Sequence, residues 1–151
     1  MQDKDTGRAL ADLDRDLIEQ RIRAIYAARE PDVGIVDRKK HYAEDVILEI
    51  VGDPRDYAFC GRHVGIPAMS AAVRALHTEL EITGNEILSL IVDGNQAAVR
   101  RAIKVRGRGT GKAYEVAVLD IFRFENGLVA KLEQFVDTQA IALAAGRALS
   151  H

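Results

Sequence analysis

Between residues 8 and 29 the apolar positions Leu10, Leu13, Leu17, Ile18, Ile22, Ile25 and Tyr26 recur every three or four residues. That spacing predicts an amphipathic helix, stopped by EPDVG. A second, short helix is predicted over residues 35–45 (IVDRKKHYAED), followed by strands over 46–52 (VILEIVG) and 57–61 (YAFCG). Residues 66–80, IPAMSAAVRALHTEL, return to the helical period, with Pro67 near the start, where its missing N–H costs little.

From residue 82 the period becomes two. EITGNEILSLIV and QAAVRRAIKVRGR are predicted strands joined at DGN, where Asp93-Gly94 is a hairpin signal. GTG (109–111) turns the chain into KAYEVAVLDIFRFE, NG (126–127) turns it again into LVAKLEQFVD, and a last helix is predicted over about 138–149. Helices followed by a long meander predict an α+β domain, with helices packed on one face of a strongly curved antiparallel sheet. In the strand 114–124, Val116, Val118, Phe122 and Phe124 share a face with Asp120, while Ala117, Leu119 and Ile121 take the other. Both faces are apolar, so both are expected to be covered, one by helices around a pocket and the other by a second subunit. A carboxylate at the centre of such a strand is the first candidate for chemistry.

Composition narrows the field. With 151 residues, 48% hydrophobic and 29% charged, the chain fits one soluble domain spanning 1–151, without repeats or a linker long enough to divide it. At this size a fold buries roughly 68–70% of the surface its unfolded chain exposes. A formal net charge of −2 gives no electrostatic reason to expect nucleic acid or an anionic membrane as partner. Cys60 is the only cysteine, which excludes an intrachain disulfide and a cysteine zinc cluster. No apolar run approaches the roughly 20 residues of a membrane helix, and MQDKDTGRALADLDRD is too polar for a signal peptide, so a cytoplasmic location is expected. No His, Asp or Glu pair has helical ligand spacing beside another ligand, so no metal is expected.

A tyrosine on the first long helix, the YAEDV entry into the first strand (42–46), an F-x-G followed by a helix, and the closing LDIFRFENGLVAKLEQFVDT together resemble the NTF2-like, SnoaL-like superfamily. Ketosteroid isomerase and the polyketide cyclases belong to it. The resemblance implies a cone-shaped fold, its curved sheet wrapped around the N-terminal helices and enclosing an apolar pocket, commonly in a homodimer. It further implies an isomerase or cyclase working without cofactor on a hydrophobic carbonyl compound, steroid-like or polyketide-like, through an enol or enolate. Carried over by position, Tyr26 matches the isomerase's oxyanion-hole tyrosine and Asp120 its protonated aspartic acid. Burial in an apolar cavity favours such a neutral O–H donor. In the cyclases the aspartate on this strand is instead thought to be the acid/base. The isomerase's proton-shuttling aspartate has three candidate positions here: gap-free counting reaches Ile50, three extra loop residues reach Asp53-Pro54, and Glu49 lies beside the gap-free position. Phe59, His63, Met69, Val118, Phe122 and Phe135 are expected to shape the pocket. Limonene epoxide hydrolase has a similar C-terminal half, but Ile103 and Gln134 stand where its acids are needed beside Arg101, which excludes that activity.

Plainer roles compete at several of these positions. Asp120 could be a structural carboxylate satisfied by backbone N–H groups or by Arg101. Tyr26 could be a core tyrosine, Cys60 a small buried hydrophobe, and His63 a loop histidine. His41 and His77 are expected to be solvated. Asp137 is expected to cap the last helix. RGRGTGK (106–112) joins two strands and opens no helix, so it reads as a hairpin turn and not a phosphate loop. Lys104, Arg106 and Arg108 alternate onto one strand face without aromatic partners, which reads as a solvated edge. The same pocket could also serve a noncatalytic ligand-binding protein, or the sheet's outer face an assembly module.

Overall fold

A computed structural model describes residues 3–28 and 37–147. Helix α1 spans Asp3–Ala27; after a single 3-10 turn at Arg38–Lys40 come strand β1 (Tyr42–Val51), strand β2 (Gly61–Val64) and helix α2 (Ile66–Glu79). The second half holds β3 (Leu80–Asp93), β4 (Gln96–Gly107), β5 (Ala113–Glu125), β6 (Leu128–Val136) and helix α3 (Thr138–Ala145). The strands form one sheet in the order β2-β1-β6-β5-β4-β3. Its meander is antiparallel as expected, but β1 joins β6 in parallel, so the sheet is mixed. That pairing links segments some eighty residues apart, which no local hydrophobic pattern records.

The turns follow the sequence closely. Asn126 (φ 51°) and Gly127 (φ 78°) both take left-handed conformations, the backbone that a two-residue hairpin with the sheet's own twist requires. Asp137 caps α3, its carboxylate accepting from the Ala140 N–H at 3.1 Å, and Gly146 ends that helix left-handed. Register shifts at Ile82/Gly84, Ile87/Ser89 and Arg123/Phe124 bend the strands where an extra residue interrupts the ladder.

Two predicted elements change. The described part of the helix expected over 35–45 contains only the Arg38–Lys40 turn, and the chain is extended from Tyr42 onward. Tyr42, Val46, Leu48 and Ile50 are all buried, so packing of β1 on the core overrides the local helical pattern. The strand expected over 57–61 is a run of turns instead, closed by Tyr57 N–H to Asp53 O and Cys60 N–H to Tyr57 O. Strand β2 starts only at Gly61, and Tyr57, Phe59 and Cys60 are buried from the turns.

RGRGTGK is indeed a hairpin, and it also clamps two helix ends. Arg108 donates through Nε to His77 O and through its backbone N–H to Glu79 O at the end of α2, and Thr110 donates its hydroxyl to Ala144 O at the end of α3. These are carbonyls that a helix leaves unpaired. The approach is so close that a Cβ on Gly107 would lie 1.8 Å from Ala144 O. Gly107→Ala is therefore expected to cost about 1–3 kcal/mol or more, because backbone must move. Gly109→Ala, where a Cβ meets nothing within 4 Å, should stay within about 0.5 kcal/mol. Equal urea midpoints for the two variants would refute this account of the hairpin.

Candidate functional site

Alternation along the strands decides which side chains reach the core. On β5 the inward positions are Val116, Val118, Asp120, Phe122 and Phe124, all buried. On β4 they are Ala97, Val99, Arg101, Ile103 and Val105, also buried. One carboxylate and one guanidinium thus stand in two apolar stripes on adjacent strands. Arg101 lies opposite Val118, one inward position along from Asp120, so the two charges meet diagonally.

Asp120 is completely buried, and its Oδ2 accepts two hydrogen bonds, from Arg101 Nε at 2.8 Å and from the Tyr26 hydroxyl at 2.5 Å. Its other oxygen, Oδ1, is buried and accepts from no described group. Tyr26 arrives from the last turn of α1, its ring edge-on to Phe122 and its face under the Arg101 guanidinium, 5.0 Å from the ring centre. Arg101 Nη1 donates to Asn85 Oδ1 at 3.1 Å, so an exposed residue of β3 holds the outer end of the guanidinium. The resulting chain, Tyr26–Asp120–Arg101–Asn85, joins three strands and a helix.

The other expected site residues are placed differently. Glu49 sits between inward-facing Leu48 and Ile50, so it lies on the opposite face of the sheet from Asp120, 4.0 Å from Lys131. Asp53 lies in the turn after β1, both carboxylate oxygens engaged by Arg55. Met69, Val118 and Phe122 are buried, the last two flanking Asp120 on its strand. Phe59 is buried in the turns and stacked on Tyr57 with ring centres 5.0 Å apart. His63, on β2, is half-buried and places Nε2 3.0 Å from Phe59 O, a contact that requires the proton on that nitrogen. Phe135 needs a correction: it faces outward, 40% exposed, beside Val51 and Leu119 in register, and shapes no interior. Burial pushes the Cys60 thiol up to about 11, which keeps it a neutral hydrophobe at ordinary pH.

Arg101 was expected only as a structural partner of Asp120, a pairing the structure contains, and Asn85 was not expected at all. Arg101 carried the same signal as Asp120, a charge at an inward position of an apolar strand. Asn85 carried none, since it reaches the cluster from an exposed position beside a bulge. Among the described residues no group of three His, Cys, Asp or Glu side chains is arranged to hold a metal ion, and no helix is long and apolar enough to cross a membrane.

Several solved structures share the architecture. A candidate isomerase from Rhodopseudomonas palustris superposes with a TM-score of 0.70 at 19% identity, covering 87% of this chain and 97% of its own. An NTF2-like protein from Burkholderia xenovorans LB400 gives 0.67 at 18% identity, covering 89% and 97%. A candidate SnoaL-like polyketide cyclase from Mesorhizobium loti gives 0.62 at 16% identity, covering 78% and 97%. At these identities the likeness establishes the fold, an α+β cone with an open six-stranded sheet. No curated protein matches the chain significantly. The profile of the SnoaL-like domain matches residues 21–132, a span that begins just before Tyr26 and takes in both charges of the buried cluster, and the chain belongs to that family.

Proposed function

We propose that this protein is an isomerase or cyclase that needs no cofactor and acts on a hydrophobic carbonyl compound through an enol or enolate, with Asp120 as the group that moves the proton. The observation that carries the proposal is the division of labour between the two oxygens of Asp120: Oδ2 takes hydrogen bonds from Tyr26 and Arg101, and buried Oδ1 takes none from the described residues. A carboxylate kept only for stability is a poor use of the core, since a buried ion pair is often no better than apolar residues of similar volume. An unsatisfied oxygen adds to that cost, and groups of this kind gather at catalytic sites.

The same geometry supports the acid/base role of the two that the resemblance offers. Asp120 accepts from a guanidinium, which can only donate, so Oδ2 serves as an acceptor and not as a hydrogen-bond donor. The Tyr26 hydroxyl donates a hydrogen bond to Oδ2 and holds the side chain in place. Glu49 and Asp53 are then not required as bases. In the proposed cycle Oδ1 takes a proton from a carbon next to the carbonyl and returns it either to another carbon or, after the enolate has attacked a second carbonyl of the substrate, to the alkoxide oxygen that this attack forms. The relatives described as a candidate isomerase and a candidate polyketide cyclase fit this reading.

Incubation with 2-tetralone in deuterium oxide tests it. The expected result is enzyme-accelerated deuterium incorporation at the carbons beside the carbonyl, followed by NMR. Binding of the ketone with no incorporation above the buffer rate would make the protein a ligand-binding member of the family instead.

The outer face supports a homodimer. Val51, Phe135 and Leu119, 43, 40 and 37% exposed, are direct neighbours across β1, β6 and β5, with Arg100 beside Leu119 on β4 and Glu133 beside Ile121 on β6. A two-fold axis along β5 would bury this apolar strip against its own copy. Sedimentation should find a dimer that Phe135→Asp splits into folded monomers; a monomeric wild type would end this proposal.

A further inference from the structure

An enolate needs a hydrogen-bond donor for its oxygen as well as a base for its carbon, and the donors in this site can be counted. Tyr26 has a single hydroxyl proton, and it is directed at Asp120 Oδ2. Arg101 has five N–H groups. One, on Nε, goes to Asp120 and one, on Nη1, to Asn85; the rest donate to no described residue. The guanidinium is flat, and the Nε–H and one Nη2–H lie parallel along one edge. Asp120 occupies that edge with one oxygen only, so the Nη2–H points out beside it.

Three contacts hold the guanidinium in this orientation: Asp120 on one edge, Asn85 Oδ1 at the far end and the Tyr26 ring beneath. The Asn85 contact also fixes that amide. Since arginine can only donate, Asn85 must present its oxygen, which turns its own N–H groups away from Arg101. A preorganised, largely buried cation beside a base is the arrangement that stabilises charge as it develops.

We infer that Arg101, and not Tyr26, is the oxyanion donor, with Asn85 as the positioning residue that aims it; this rests on the enolate reading above. The carbonyl oxygen of a hydrophobic ketone accepts from Arg101 Nη2 while its neighbouring C–H faces Asp120 Oδ1. The C–H bond breaks, the proton passes to Oδ1, the electron pair forms the C=C bond, and the negative charge settles on the oxygen held by Arg101. Return of the proton from Oδ1 regenerates the carboxylate.

Two readouts test the inference. For deuterium exchange into 2-tetralone, Arg101→Lys keeps a positive charge beside Asp120 but loses the fork, and should lower kcat by about 10²–10³ with little change in KM. For equilibrium binding of 4-nitrophenolate, an enolate mimic, Arg101→Lys should weaken binding more than Tyr26→Phe does. The reverse order, or no nitrophenolate binding by the wild type, overturns it. If exchange depends on Asp120 but is unchanged in Arg101→Lys, the enolate reading stands and this inference fails; if the wild type exchanges nothing, both fail. Should Arg101→Lys not fold, Asn85→Ala, at an exposed position, replaces it, with a loss of about tenfold in kcat expected and an unchanged kcat overturning the inference.

Discussion

Asp120→Asn is expected to lower enzyme-catalysed deuterium exchange by about 10²–10⁴-fold, the usual contribution of a positioned general base. The substitution is nearly isosteric. An asparagine oxygen can still accept from Tyr26 and from Arg101 Nε, so the two contacts that hold the side chain have a replacement. What disappears is the proton acceptor, because an amide N–H2 takes the place of the oxygen that has no partner among the described residues. The variant should remain folded at the assay temperature, checked by thermal melting beside the kinetics. Activity falling only in proportion to the folded fraction would mean that Asp120 is structural.

Arg101→Met is expected to have the largest effect on stability, about 3–5 kcal/mol, because it leaves a charge in the core without its partner. Asp120 is 0% exposed and cannot regain water without opening the sheet. The neighbouring Arg100→Met, whose side chain faces outward, should stay within about 0.5 kcal/mol. Urea unfolding of the two variants gives the comparison directly, and equal midpoints would contradict the buried-pair energetics. The contrast is informative because the two arginines are adjacent in sequence and differ only in which face of β4 they occupy.

That pair also shows what the sequence could and could not convey. Asp120 was legible because it interrupts an apolar face at a known parity, and Arg101 carried an equal signal inside the Arg100-Arg101 doublet, where one residue must face each way. Glu49 is placed by the same parity: Leu48 and Ile50 turn inward, so Glu49 cannot. Phe135 was harder. Strand β6 carries apolar residues on both faces, at Val129, Ala130, Leu132, Phe135 and Val136, and only its register with Leu119 and Val51 shows which way Phe135 points. The hairpins, α2 and the cap of α3 rest on local rules about glycine, proline and side-chain acceptors, and they appear where those rules put them. The parallel partnership of β1 with β6, and the reach of Asn85 to Arg101, depend on contacts between distant segments that no short-range pattern encodes.

The buried polar chain, in the function proposed above, serves chemistry at the expense of stability. The most direct measurement is made on the triple variant Tyr26→Phe/Arg101→Met/Asp120→Val, which replaces the chain's buried polar groups by apolar ones of comparable size. Its unfolding free energy and its exchange activity toward 2-tetralone would be measured on one preparation. The expected result is a protein as stable as the wild type, or more stable by about 1–4 kcal/mol, with exchange reduced to the buffer rate. A variant several kcal/mol less stable than the wild type, or one that still exchanges, would contradict it.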